Sequence, residues 1–377
     1  MSTAFRIGAT GFGLIAVCYG FARFAFGLFL PVIDQQLSMG PTISGFISGG
    51  SFLGYCIAII ASAALTEQFG PRRVAIGASL VAALGMIGIA TAPNATWLAC
   101  AVLVAGSSTG LASPPMAAAV ACAVQAHQKN KTNATINAGT SAGVALSGPI
   151  ALLITGEWRM AFAGFAVTAI IMAIISAITL PSSQNATATR HRLPQFNGNI
   201  RRLMIAAFLM GAASTALWSF GGKLATLRLG WQSDEVGILW IAIGSAGIAG
   251  AFAGNLVARF GVSLTHWFFL GLLSVGMLAV GFEGASALTT FLGGALFGGA
   301  YVILTGVYLI WGVNALPRRP ATGLMIGFLM IAVGQTVGAP VFGILIDTLG
   351  PEYAVLSFAI LSILAGLTHT GQKAALA

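Results

Sequence analysis

The chain has 377 residues, of which 57% are hydrophobic and only 7% charged, against about 25% charged in an ordinary soluble domain. So apolar a chain cannot clothe a soluble surface, and its 50 glycines suit the close backbone approach of helices packed in a membrane. The net charge of +9 is dealt out loop by loop rather than gathered on one face, which excludes a nucleic-acid-binding domain.

A membrane span needs about 20 apolar residues, and twelve such runs follow in order. The first six are Gly8–Ile33, Thr42–Ala64, Val74–Ala92, Thr96–Gln125, Thr132–Thr155 and Met160–Leu180. The second six are Leu203–Leu227, Val236–Ala258, Ser263–Phe282, Ala285–Ala315, Ala321–Ile346 and Tyr353–Thr370. Pro181–Arg202 is a polar, basic linker, so the expected organisation is a six-helix half over 1–180, a linker over 181–202 and a second half over 203–377. The first apolar run, Ile7 to Ile33, is too long for a signal-peptide core and reads as helix 1. Cys18, Cys56, Cys100 and Cys122 lie in apolar runs without metal-ligand spacing and read as small core residues.

The charges orient these spans. With both termini in the cytoplasm, inner segments hold Arg6, Arg72, Arg73, Lys129, Lys131, Arg190, Arg192, Arg201, Arg202, Arg259, Arg318, Arg319 and Lys373, and outer loops only Arg159 and Arg228. Asp34, Glu157, Asp234, Glu235, Glu283, Asp347 and Glu352 then fall outside, with Glu67 the one acid inside. Short loops rich in Lys and Arg stay in the cytoplasm, and the opposite topology inverts that bias.

The chain also repeats itself. Phe69-Gly70 returns as Phe260-Gly261 and Gly148-Pro149 as Ala339-Pro340, both at an offset of 191 residues. Two halves in the same orientation are related by an axis along the membrane normal, which is a transporter architecture.

Around these repeats the residues are similar to the major facilitator superfamily. Its signature loop, Gly-x-Leu-Ala-Asp-Arg-x-Gly-Arg-Arg, resembles Ala63 to Arg72: Leu65 and Gly70 match and Glu67 holds the acid position, while Gln68 and Pro71 replace arginines. In the second half Gly254, Leu256, Arg259 and Gly261 fit the spacing, and Ala258 replaces the acid. The Glu157-Trp158-Arg159 turn looks like the family's helix 5–6 loop, and Gly143 to Pro149 loosely resembles its exporter motif. Tyr19 to Val32 is similar to the YbfB-like branch, and the whole chain resembles arabinose-efflux-permease-like exporters. Helix 4 departs from the drug–proton antiporter pattern, with Gly106 where those proteins place an Arg. The resemblance implies an all-α membrane protein of twelve helices in two pseudo-symmetric halves. It further implies a monomeric carrier in a bacterial inner membrane, with lipid and a small-molecule substrate as its partners. It makes Glu67, Gly70, Arg72, Arg73, Arg259 and Gly261 the gating positions.

No catalytic constellation, metal site or cofactor is expected. His127, His191, His266 and His369 lie at loops or helix ends with no partner at motif spacing, and nothing resembles a phosphate-binding loop. An intramembrane enzyme and a non-transporting receptor, which would carry an output domain or long tail, are the remote alternatives. Arg23 carries the sharpest signal: about 10 residues from the outer end of helix 1 it lies about 15 Å deep, near mid-membrane. A charge there faces a cavity or a partner; the competing reading pairs it with helix carbonyls or has it snorkel outward. Lys223 lies near the outer mouth, where snorkelling competes with function. Polar and aromatic residues share faces at helical spacing: Tyr19 with Arg23, Asn137 with Ser141, Ser214 with Trp218, and Tyr301 with Thr305 and Tyr308. Gln335 stands in the middle of helix 11. In the family such helices line a central cavity, so the expected substrate-binding set is Arg23, Tyr19, Asn137, Ser141, Trp218, Tyr301, Thr305, Tyr308 and Gln335. No Asp or Glu lies mid-span. Uniport, symport and antiport therefore stay open, with proton-coupled export ahead on the helix 5 motif and uptake of a small organic anion as the alternative.

Overall fold

The structure, a computed structural model, describes residues 2–154, 156–182, 198–317 and 319–368. Most of the linker lies outside the described residues, as do Thr155, Arg190, His191, Arg192, Arg318, His369 and Lys373.

All regular structure among the described residues is helical. The first half contains α1 (Thr3–Leu37), α2 (Gly40–Phe69), α3 (Pro71–Ala90), α4 (Ala95–Ala123), α5 (Ala126–Ile154) and α6 (Trp158–Thr179). In the second half, α7 is Gly198–Trp218 followed by a short continuation, Gly221–Leu229. The stretch Ser233–Gly281 bends at Gly261 into α8 (233–260) and α9 (262–281). α10 (Ala287–Ala315), α11 (Pro320–Leu349) and the shorter α12 (Pro351–Ala365) complete it. Twelve helices thus stand where twelve apolar runs were expected. Some overrun their apolar segment, as α2 does through Thr66–Phe69 and α5 from Ala126, because backbone hydrogen bonding does not stop at the membrane boundary.

Local chemistry sets the helix starts. Ser2, Asn94 and Ser286 accept from backbone N–H groups three residues on, which is the N-cap interaction. Gln232 and Glu235 form a reciprocal capping box at the start of α8. Gly70 and Gly261 break the chain between α2 and α3 and between α8 and α9 with the same backbone conformation, φ 80°, ψ 160° and φ 79°, ψ 163°. A positive φ is open to glycine without steric cost, so the repeated Phe-Gly marks a repeated turn.

Packing follows the repeat. α2 and α3 pack on α4 as α8 and α9 pack on α10, and α1 packs on α5 as α7 packs on α11. Gly20 of α1 and its mate Gly211 of α7 make the last two contacts possible: a Cβ at Gly20 would lie 2.3 Å from the Gly143 main chain, and one at Gly211 2.1 Å from that of Ile331. Large apolar side chains such as Leu84, Leu153 and Ile178 stay exposed on the outside of the bundle and form its lipid-facing belt.

The halves meet through α1 with α7, α2 with α11, and α5 with α8. Glycines bring the last two pairs together. Gly45 meets Ala339 and Pro340 across α2 and α11, and Gly148 meets Gly237 across α5 and α8. These contacts concentrate toward the end that carries Asp34 and Asp347, here termed the acidic end. The opposite, basic end carries Gly70, Gly261 and most of the described Lys and Arg residues.

Candidate functional site

The site begins with an irregular stretch of α1. Ala16–Phe24 is a π-helix, a wider i→i+5 winding that recurs at functional sites. It carries both Tyr19 and Arg23. Arg23 is only 6% exposed, and its guanidinium carbon lies 4.6 Å from the ring centre of Phe52, 4.8 Å from Tyr55, 5.1 Å from Phe24 and 5.9 Å from Tyr19. Cation–π contact with four rings offsets part of the cost of a buried charge. Arg23 Nη2 donates to Gln335 Oε1 at 2.6 Å, across the two halves. Its buried Nε has no partner among the described residues. Gln335 is fully buried, and its Nε2 donates to Ser214 Oγ and Tyr301 OH, each at 3.2 Å.

This cluster closes the deep end, at mid-molecule, of a cavity of about 300 Å³ between the halves. Tyr19, Arg23, Asn137, Ser141, Tyr301, Thr305 and Gln335 all line it. The cavity extends toward the basic end, past Ala134, Leu309 and Phe328, where the broad contacts between halves stop. Arg23 is the one charged residue in its wall among the described residues. Tyr19 OH and Ser113 Oγ lie 2.9 Å apart, so the wall already uses part of its polar capacity on itself.

Two expected residues are elsewhere. Trp218 lies tilted against Phe24, ring centres 4.2 Å apart, and packs edge-on against Phe297 and Tyr301. It is part of the plug between α1 and α7 beneath the cavity, not of its wall. Tyr308 is fully buried, donates to the Ala206 carbonyl at 3.2 Å and lies 2.9 Å from His266 Nε2. It faces α7 and α9, on a side of α10 turned away from Thr305, Gly306 and Leu309, through which the helix lines the cavity at this depth. His266, expected at a helix end without a partner, is therefore a buried core histidine edge-on to Tyr308 and Trp311.

Below the plug the acidic end is sealed by polar contacts across the halves. Lys223 of α7 forms a largely buried ion pair with Asp34 of α1, so of its two readings, snorkelling and function, the side chain does not snorkel outward. Asp34 also accepts from the Gly40 N–H at 2.7 Å. Asp347 of α11 accepts from the N–H of Thr42 on α2 at 2.9 Å and from its hydroxyl.

At the basic end the gating positions stand apart. Glu67 is exposed and has no ion pair among the described residues. Arg72 is half-buried, and Arg73 and Arg259 are exposed, with the Arg259 guanidinium 5.2 Å from the Phe260 ring. Gly106 packs against α2 so closely that a Cβ would lie 2.2 Å from the Ser51 carbonyl oxygen, so the Arg of drug–proton antiporters has no room here. Sequence reasoning missed Phe52, Tyr55 and Ser113. Phe52 and Tyr55 stand three residues apart in the uncharged middle of α2, a spacing that puts two rings on one helical face.

A 156-residue stretch is 26% identical to human solute carrier family 2, facilitated glucose transporter member 10, covering 41% of this chain and only 29% of that transporter. The uncharacterized transporter YgaY of Escherichia coli O157:H7 is 27% identical over 277 residues, 70% of each chain. Among solved structures, the nucleoside transporter NupG aligns with a TM-score of 0.80 at 11% identity, over 97% of this chain and 98% of that one. The xylose transporter XylE from E. coli, in a partially occluded inward-open conformation, aligns with a TM-score of 0.78 at 16% identity, over 97% of each chain. At these identities the structural likeness shows the fold. The Major Facilitator Superfamily model matches residues 12–333. The chain is a multi-pass membrane protein and belongs to the Major Facilitator Superfamily of transporters.

Proposed function

We propose that the protein is a secondary transporter that carries a small organic solute across a bacterial inner membrane by alternating access, caught here facing the cytoplasm. One observation carries the reading: the halves are sealed at the acidic end by the Trp218 plug and the Asp34–Lys223 pair, while the cavity at Arg23 extends toward the basic end. The positive-inside bias supports a cytoplasmic position for the basic end, both termini and the 181–202 linker that joins halves 1–180 and 203–377. Export is the proposed direction, on the Gly148-Pro149 resemblance, with protons as the coupling ion and a monomer as the working unit. The test is counterflow in liposomes: a solute that binds the purified protein exchanges across the membrane. A bound solute that never exchanges makes the protein a receptor.

Two predictions arise here. In a cysteine-free background, a cysteine placed at Gln184 reacts with an impermeant thiol reagent only after cells are permeabilised, and labelling of intact cells would invert the topology. Glu67 is the one acid of the basic end and pairs across the halves when that end closes. An exposed pair typically contributes about 0.2–1 kcal/mol, so Glu67→Gln raises the open-to-closed ratio at the basic end by up to about fivefold. Accessibility of a cysteine at Thr305 reports it, and unchanged reactivity would remove Glu67 from the gate.

A further inference from the structure

We propose that the solute is a small organic carboxylate, resting on the carrier reading of the same cavity, and that its carboxylate group enters between Arg23 and Gln335 by turning the Gln335 amide over.

The charge of the wall limits the class. Among the described residues Arg23 is the one charged lining residue, and none of the lining residues is a carboxylate that would receive a cationic solute. A monoanion brings the site to neutrality. Arg72, Arg73, Lys131, Arg201 and Arg202 stand at the end toward which the cavity extends, and their field raises the local concentration of anions.

The hydrogen bonds point to the functional group. A guanidinium presents a planar fork that matches a carboxylate with two parallel bonds. Here that fork is held by one neutral amide oxygen, at 2.6 Å, and the buried Nε has no partner among the described residues. Gln335 Oε1 thus occupies the place of one carboxylate oxygen. Its Nε2 faces two hydroxyls, Ser214 Oγ and Tyr301 OH, and a hydroxyl can donate as well as accept. Rotating the amide by half a turn releases the bond from Arg23 and leaves the fork to the solute: Oε1 accepts from Tyr301 OH, Nε2 turns toward the cavity as a donor, and Ser214, whose hydroxyl donates to the Gly211 carbonyl at 2.7 Å, exchanges that bond for one to Oε1. An arriving carboxylate then takes Arg23 with one oxygen or both and the Gln335 N–H with the other. Its charge sits between a cation from the first half and an amide from the second. The rings of Tyr19 and Tyr301 leave an apolar wall for the remainder of the molecule.

A thermal-shift titration of the purified full-length protein tests this with matched probes: benzoate, benzamide and benzylamine, and lactate and lactamide. The carboxylates stabilise the parent protein, and the amides and the amine do not. Gln335→Glu supplies a resident carboxylate to Arg23. It folds, as judged by size-exclusion elution and a melting temperature at or above that of the parent, and it loses all stabilisation by added carboxylates. Tyr301→Phe removes a hydroxyl that receives the turned amide and weakens carboxylate binding roughly tenfold. Stabilisation by the amide or amine probes, none by either carboxylate, or undiminished carboxylate binding in Gln335→Glu overturns the proposal. Counterflow separates the two readings. Carboxylates that bind but do not exchange refute the carrier alone, whereas exchange of a neutral or cationic solute, with no carboxylate bound, refutes the substrate class alone.

Discussion

Asp34→Asn or Lys223→Met opens the acidic end of the molecule. The two side chains are 14% and 10% exposed and pair across the halves, so deleting one leaves the other buried without its counter-charge. Breaking a buried pair in this way costs about 3–5 kcal/mol. The lone charge regains water when α1 and α7 separate at that end, so the cost falls on the closed state. The closed-to-open ratio drops by at least about a hundredfold. Spin labels at Pro93 and Ala287, exposed positions in the two halves at the acidic end, report it as a shift to longer distances. The double variant Asp34→Leu with Lys223→Met carries no buried charge and returns toward the closed distance. Single variants with the parent's distance distribution would show that the Trp218 plug and the Thr42–Asp347 contact hold the end shut without the ion pair.

Arg23→Ala abolishes binding of the solute. Two charge-assisted hydrogen bonds at about 1.5–3 kcal/mol each correspond to a loss of at least about a hundredfold in affinity. Arg23→Lys keeps the charge but not the fork, and loses most of the same affinity. The fold survives both, because the helices around Arg23 are held by the glycine contacts of α1 with α5 and α2 with α11. Isothermal titration with a solute that stabilises the parent measures the loss. Parent-like affinity in both variants would make Arg23 a structural cation of the aromatic cage.

How much of this was legible in the sequence depends on what periodicity encodes. Apolar runs about as long as a bilayer is thick mark the helices, and an offset of 191 between Gly70 and Gly261 marks the duplication. Both are local properties of the chain, and the matching φ and ψ at the two glycines show the repeat at the level of single dihedrals. Arg23 was legible because a charge at that depth must be explained. The partner of each polar residue was not. Tyr301 and Tyr308 lie two turns apart on nearly the same face of α10, yet one lines the cavity and the other hydrogen-bonds toward α7. A helical period gives the angle of a side chain about its own axis and says nothing of what stands opposite. For the same reason His266 and Lys223 looked unpartnered: Tyr308 and Asp34 are 42 and 189 residues away.

The repeat also locates Gln335. Arg23 and Ser214 are 191 residues apart, so they are the same position in the two halves, one now a cation and the other a hydroxyl. Both hydrogen-bond the single amide of Gln335. A group within reach of both copies of one position lies close to the axis that exchanges the halves. When two bodies rock about each other, points near the common axis move least and points at the two mouths move most. In the proposed cycle the backbone that carries Gln335 therefore moves little while the mouths on either side exchange access, and the turn of its amide is a local event. On that proposal a solute resting there passes from one face of the membrane to the other without itself having to travel far.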